Sequence, residues 1–533
     1  MVRISRGATQ ETMWSNLLAR RWSTVSAALV LLGFSAALTN LAFRNSPTYD
    51  EPLHFAAGVK AFFGGDTSVD SLHPPTIRAI GVGLAALLGL RPPINLPGAK
   101  NGDVVMLGSS LISALGNDWL LPLRFAVIVM VVVTMSMLFL ALRSLFGEKS
   151  ALATIVLWAT CPTLLAHAHL FTTDAVPASL VVLAFALHLG ATRRESPPIL
   201  AWLTLGLAIA GKATLLPFTV IMWALTIWGC RSHRRRSKNA LIILGPLLAL
   251  AVLWVPYIVL RIGLPFGSPA MTGSSRLGKL LSALPILPSD LSTGLIGRIS
   301  LNQPTSYFLG ESYSGGRWYY FPVTIAIKTQ VSTLVAAGAA SYSIFWTRTP
   351  GVLSHFLVPG LAYLVVLALG DFNIGIRHAL VVILFALTAI GASLTRAKPR
   401  IRHLITLLII LGALETIVQF PQTISFSNVA AGSYPNTHKY LSDSNVDWGQ
   451  DAERAVSVAR AAAPGVPAFA YFGTAPPPDA ESVSLDAALG LVESSDRAVL
   501  ISYSLLLNAR EHPIRSPDRV IGGSVALWLP KSD

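Results

Sequence analysis

The sequence predicts a polytopic α-helical membrane protein carrying a small C-terminal α/β domain outside the membrane, and three observations carry that expectation. Hydrophobic residues make up 53% of the 533 positions and charged residues 12%, with a mean hydropathy of +0.60, a balance that no soluble domain of this length needs. Apolar segments of spanning length, or close to it, recur about 11 times. From residue 421 onward the pattern changes, and strand-like runs at 467–472 and 498–503 alternate with helix-like runs at 449–462 and 503–510. The region 421–533 is long enough to hold a modest core of its own.

The apolar segments fall at 24–43, 122–142, 151–169, 175–191, 199–211, 213–229, 239–260, 321–345, 353–370, 377–394 and 403–420. The first follows Arg20 and Arg21 and lacks a small-residue cleavage site, so it reads as an uncleaved signal anchor after a cytoplasmic segment 1–23. The transmembrane region is then 24–420, with a first outer loop at 44–121. Two short segments flank Gly211-Lys212. They read as two tilted helices meeting at that lysine; one longer helix is the alternative, and it would reverse every later orientation.

With about 11 spans, Arg20 and Arg21, Arg143 with Lys149, Arg193 and Arg194, the run from Arg231 to Lys238, Arg348, and the set Arg396, Lys398, Arg400 and Arg402 share one side. That side is the cytoplasm by the positive-inside rule. The expected location is the plasma (inner) membrane, multi-pass, with the N-terminus cytoplasmic. The net charge of +14 sits in these clusters and not on one soluble face, which argues against nucleic acid as a partner. Cys161 and Cys230 give no disulfide framework, and no glycine-rich nucleotide loop is present.

The unusual polar residues then share the outer boundary. Asp50 and Glu51 follow the first span directly, where adjacent carboxylates are costly to desolvate. Pro52 opens a helix over 53–63, suited to lying in the interface, and a second apolar run follows His73-Pro74-Pro75 to about Leu90. His167, His169 and Thr172-Thr173-Asp174 lie in a turn between spans, where the last three equally suit a helix cap. Lys212, Lys328 and Arg377-His378 place cations at membrane depth, which fits an anionic headgroup such as a lipid phosphate as well as simple pairing. The run Ser442 to Asp451 is dense in acceptors, with Asn445, Asp447 and Trp448, and also suits a capped helix start. Asp50, Glu51, His73, His167 and His169 are suitable metal ligands in no fixed template, so no cofactor is assigned and a divalent metal stays open.

This set resembles the GT-C glycosyltransferases, and within them the protein O-mannosyltransferase and aminoarabinose transferase group, family 39. The motifs are Tyr49-Asp50-Glu51, His73-Pro74-Pro75, Thr172-Thr173-Asp174, Lys212, Gly310-Glu311 through Trp318-Tyr319-Tyr320-Phe321-Pro322 to Lys328-Thr329, Asn373 to His378, and Ser444 to Asp451. The resemblance implies a GT-C fold and inverting transfer of a sugar from a polyprenyl-phosphate donor to a lipid, glycan or protein acceptor on the extracytoplasmic face. It implies Asp50 as base, with Glu51 holding acceptor or metal and Asp174 orienting the sugar or a helix end. Lys212, Arg377 and Lys328 are the implied counter-ions of the leaving phosphate, while His73, His378, Asn445, Asp447 and Trp448 are expected to bind substrate. No carbohydrate-binding repeat stands between the membrane helices, which sets the chain apart from the eukaryotic mannosyltransferases. The alternative reading is a transporter or flippase of lipid-linked saccharide, which would need polar residues along both halves of the membrane path; a noncatalytic assembly factor is the third.

Overall fold

The computed structural model describes residues 5–89, 91–93, 103–115, 119–232, 238–261, 287–300, 305–494, 497–509 and 513–530. His233 to Ser237 of the basic run, and much of the segment 261–320, therefore lie outside the described residues. Helix α1 (Ser5–Arg44) runs out to the turn before α2 (Glu51–Gly64), and α3 (Thr76–Leu87) and α4 (Val104–Leu115) complete the first loop. The bundle continues with α5 (Leu120–Phe146), α6 (Glu148–Ala159), α7 (Pro162–His167), α8 (Ala175–Arg193), α9 (Ile199–Gly211), α10 (Pro217–Ser232), α11 (Lys238–Leu260) and α12 (Ser289–Ser300). A hairpin of β1 (Thr305–Phe308) and β2 (Glu311–Ser314) precedes α13 (Tyr320–Lys328) and α14 (Val331–Trp346). Then come α15 (Pro350–Ala368), α16 (Ile376–Ser393) and α17 (Pro399–Gln419).

Every apolar segment read from the sequence is helical, but fewer of them are straight spans. Among the described residues seven helices are long and apolar enough to cross a membrane, and an eighth if α13 and α14 count as one span bent by 114°. The chain is a multi-pass membrane protein. The segment 321–345 breaks because Thr329 is extended (φ −111°, ψ 139°). The carbonyls freed there are taken by Asn428, whose Nδ2 donates to Ala326 O at 2.5 Å and Thr329 O at 2.7 Å. The segment 151–169 breaks before Pro162, and the freed Thr160 carbonyl accepts from Gln330 Nε2 and Thr416 Oγ1, both at 2.8 Å. Each break leaves polar backbone at depth that a neighbour's side chain satisfies, the condition under which a helix can be interrupted in lipid. A hydropathy trace carries no sign of either partner.

The first-loop helices are packed down against the bundle. Gly108 of α4 lies so close to the start of α2 that an added Cβ would sit 2.3 Å from the Pro52 carbonyl oxygen. Basic residues gather at the opposite end of the bundle: Arg143 Nη1 donates to Thr24 at 3.2 Å and Arg193 Nη1 to the Leu145 carbonyl at 2.6 Å. Since Asp174 begins α8 and Arg193 ends it, acidic turns and basic ends are separated by the length of that helix.

Residues 421–451 form a strap over the bundle, burying Leu441 and Val446 in its main apolar core. Beyond it lie α18 (Ala452–Ala462), β3 (Ala468–Ala470), β4 (Glu481–Ser482), α19 (Leu485–Ser494), β5 (Val499–Ser502), α20 (Tyr503–Leu506), β6 (Arg519–Ile521) and β7 (Val525–Trp528). The sheet order is β4-β3-β5-β7-β6, parallel across β4-β3-β5 and antiparallel beyond. Leu500 and Leu527 face Ala455 and Ala459 of α18, whereas Val499, Ile501 and Trp528 pack with Ala488 and Val492 of α19. Covered on both faces, β5 and β7 are apolar at successive positions instead of alternating.

Candidate active site

Residues 46–51 are held from several sides. Ser46 N donates to Gln450 O at 2.9 Å and Tyr49 N to Trp448 O at 2.8 Å, which ties the turn to the strap. Glu51 is fully buried. Its Oε1 accepts from Arg124 Nε and Phe171 N, both at 2.8 Å, and its Oε2 from Arg124 Nη2 at 2.6 Å, Thr48 N at 2.9 Å and Thr48 Oγ1 at 3.1 Å. Arg124 Nη1 donates to the carbonyls of Ala42 and Asn45, both at 2.7 Å. Burial alone would raise the Glu51 carboxyl, but the Arg124 charge and these donors hold it below its ordinary value. With both oxygens occupied, Glu51 has no lone pair to spare for a metal or an acceptor, contrary to the role the resemblance implied; it fastens the end of α1 and the start of α2 to α5.

Asp50, one residue earlier, faces the other way. Its Oδ2 accepts from Arg377 Nη1. The same Nη1 lies 4.0 Å from Asp174 Oδ2, and Asp174 Oδ1 accepts from Lys212 Nζ. Carboxylate and cation therefore alternate through Asp50, Arg377, Asp174 and Lys212. Side-chain exposure falls from 23% at Asp50 to 10% at Arg377 and 5% at Asp174, so Asp50 is the member open to solvent. Burial raises the Asp174 carboxyl less than the Lys212 and Arg377 charges lower it, and it stays ionised.

Local backbone explains each placement. Lys212 is extended (φ −152°, ψ 109°), which breaks the helix between α9 and α10. Arg377 lies in the tight turn opening α16, where Ile376 N donates to Asn445 Oδ1 at 2.8 Å and the Ile374 carbonyl accepts from Ser444 Oγ at 3.0 Å. Its guanidinium lies over the Trp448 ring, 4.3 Å from the centroid.

The structure thus brings together Asp50, Asp174, Lys212, Arg377 and Trp448, with Asn445 positioning the turn. His378 is half-buried beside Arg377, and its Nε2, shielded from solvent, has no partner among the described residues. Lys328 stands apart, its Nζ donating to the backbone carbonyls of Ile424 at 2.6 Å and Asn445 at 2.7 Å, so it anchors the strap. His73 is paired with Asp70 at 3.1 Å and set edge-on to His54, outside the ion alternation but near enough for its charge to be felt at His378. Asp447 accepts from Gly449 N at 3.1 Å inside the strap, and burial pushes its carboxyl up to about 7. Among the described residues no three His, Cys, Asp or Glu side chains gather as a metal site.

Sequence reasoning missed Arg124 and Asp443. An arginine inside the apolar run 122–142 was itself a signal, since a charge there demands a partner. Asp443 is only partly exposed to solvent, and its carboxyl is raised by burial against the opposing pull of Arg377.

An apolar groove of about 710 Å³ is lined by Phe62, Ile80 and Leu84 from the first loop and by Leu207, Val255 and Pro256 from α9 and α11. Ala210, two residues before Lys212, lines its wall.

Residues 104–259 match the family described as dolichyl-phosphate-mannose-protein mannosyltransferase. The stretch takes in Arg124, Asp174 and Lys212 and leaves out Asp50 and Arg377. No curated protein matches the sequence. Among solved structures, ArnT from Cupriavidus metallidurans, bound to undecaprenyl phosphate, is 14% identical over 96% of this chain and 98% of that one, with a TM-score of 0.47. The oligosaccharyltransferase AglB from Archaeoglobus fulgidus, in complex with an inhibitory peptide and a dolichol-phosphate, is 10% identical over 91% of this chain and 70% of that one, with a TM-score of 0.44.

Replacing Arg124 by Met leaves Glu51 buried without its counter-ion, and the expected cost is about 3–5 kcal/mol. Thermal unfolding of the purified protein in nanodiscs reads this as a large loss of Tm, with a smaller loss when Glu51→Gln is added. The raised Asp447 carboxyl gives a second outcome. Between its ordinary value of 3.8 and about 7 the folded state holds a proton that the unfolded state has released. Its contribution to stability therefore falls as pH rises through that window. Asp447→Asn should match the wild type in Tm near pH 4 and exceed it above pH 7, and parallel Tm curves would contradict the assignment.

Proposed function

We propose that this chain is a glycosyltransferase that moves a sugar from a polyprenyl-phosphate donor to an acceptor at the extracytoplasmic face of the plasma membrane, inverting the anomeric centre. The observation that carries the reading is the alternation of Asp50, Arg377, Asp174 and Lys212, together with an apolar groove whose wall includes Ala210, two residues before Lys212. A polyprenyl tail suits the groove, and its phosphate then lies at the membrane boundary, within reach of cations already held there. The match of residues 104–259 to a family whose description names a polyprenyl-phosphate sugar points the same way.

In this reading Arg377 and Lys212 hold the donor phosphate, and the arriving anion loosens Arg377 from Asp50. The freed carboxylate accepts the proton of the acceptor hydroxyl as that oxygen bonds to C1 of the sugar. The bond from C1 to the phosphate oxygen breaks on the opposite face, and the leaving polyprenyl phosphate keeps the electron pair. Its charge remains on the two cations, so the departing group needs no proton. Asp174 stays ionised between Lys212 and Arg377 and holds both in place. Glu51 acts only by positioning Asp50. Arg143, Arg193 and Arg194 gather at one end of the bundle, and taking that end as cytoplasmic by the positive-inside rule supports an extracytoplasmic Asp50. One-sidedness of the charged residues disfavours a flippase, whose path would need polar groups along both halves.

Asp50→Asn should lower kcat by about 10²–10⁴, as for loss of a general base. Release of polyprenyl phosphate from lipid-linked sugars extracted from the host membrane is the measurement, with Tm confirming an intact fold. Near-normal turnover by this variant would count against Asp50 as the base.

A further inference from the structure

A second cavity, small and polar, lies between the turn before α16, the strap and the C-terminal domain. Its volume is about 100 Å³, and its wall includes Tyr307 of β1, Asn373 of the turn before α16, Asp443 of the strap, and Phe472, Ser504 and Asn508 of the C-terminal domain. Four separate parts of the chain thus meet around it. Asn373 is 1% exposed. Its Nδ2 donates to Tyr313 OH at 3.1 Å, but its Oδ1 accepts no hydrogen bond. A buried amide oxygen left empty costs about 1–3 kcal/mol, so a donor is missing here. Among the described residues no lysine or arginine lines this cavity, and Asp443 brings a carboxylate, which together turn away a phosphate.

The cavity is also joined to the reacting region. The Phe472 ring packs on Tyr49 at 5.1 Å, and Thr474 Oγ1 donates to Tyr49 O at 2.7 Å, one residue from Asp50. Asp443 feels the charges of both Arg377 and Asp50. A neutral group rich in hydroxyls fits such a wall: an amide oxygen and a carboxylate accept, Tyr307 supplies a hydroxyl, and aromatic rings cover the apolar face of the ring.

We propose that this cavity, bounded by Asn373, Asp443, Phe472, Ser504 and Asn508, binds the hydroxyls of a single sugar ring and that the C-terminal domain thereby takes part in choosing the substrate. This rests on the glycosyl-transfer reading. The ring comes from the donor's glycosyl unit or from a glycan acceptor. A cavity of this size takes one edge of one ring and no oligosaccharide.

The test uses methyl hexosides and methyl pentosides with the full-length protein in nanodiscs, read by saturation-transfer NMR. One of these probes should bind the wild type, and Asn373→Leu should weaken its Kd about tenfold, as for one lost hydrogen bond to a buried acceptor. Asn508 is exposed at the rim, so Asn508→Leu narrows the entrance with less risk to folding and should weaken binding similarly. Binding should persist in Asp50→Asn. A wild type that binds no probe, or equal binding by wild type and Asn508→Leu, overturns the proposal. In transfer reactions Asn508→Leu raises the donor KM alone if the donor sugar occupies the cavity and the acceptor KM alone if the acceptor does; an effect on neither also overturns it. Binding without any transfer by the wild type would instead overturn the enzymatic reading and leave the sugar site standing.

Discussion

A guanidinium shared between two carboxylates at one end of the helical bundle governs the arrangement. Arg377 takes its place between Asp50 and Asp174, with Lys212 closing the far end, and most of this charge is removed from water. Buried ion pairs of this kind give little net stability, because desolvation offsets their attraction, and apolar side chains of like volume would serve a fold as well. Charges so costly, concentrated at one end of the bundle and leaving Asp50 partly open, are better accounted for by a ligand that carries charge to that place. The same field prepares the site for an anion. A phosphate entering beside Lys212 meets cations that are already fixed and need not reorganise.

Everything that places these groups lies outside the group itself. Glu51 and Arg124 are saturated by hydrogen bonds, and Asp50 is rigid because its neighbour is. Asn445 holds the turn carrying Arg377 through a backbone N–H, Trp448 lies beneath the guanidinium, and Lys328 ties both strap and α13 together through carbonyls. The strap 421–451 is therefore part of the site and not merely a connection to the sheet domain. Much of its run of acceptors is spent on fixing backbone, while Ser442 and Asp443 line the polar cavity.

Much of this was legible in the sequence. Helical segments, the change of character after residue 420, and the gathering of Asp50, Asp174, Lys212 and Arg377 all follow from charge being rare and expensive in apolar chain. What could not be read were partnerships between distant residues. Asn428 satisfying the broken end of α13, or Gln330 and Thr416 sharing the Thr160 carbonyl, turn runs that look continuous into bent pairs. Glu51 and Asp50 look alike in sequence, and only Arg124, about seventy residues on, separates a fastener from an exposed carboxylate. The hairpin β1–β2 and strand β6 were missed because short, partly exposed strands leave a weak period-2 pattern, and β7 because a short apolar run buried on both faces has no period to read.

The most direct test is a structure of the full-length protein in nanodiscs with undecaprenyl phosphate added. The account expects the phosphate to contact Arg377 and Lys212, the tail to follow the groove beside Ile80, Leu207 and Val255, and the Asp50 carboxylate to have parted from the guanidinium. A phosphate bound elsewhere, with Asp50 and Arg377 still paired, would contradict it.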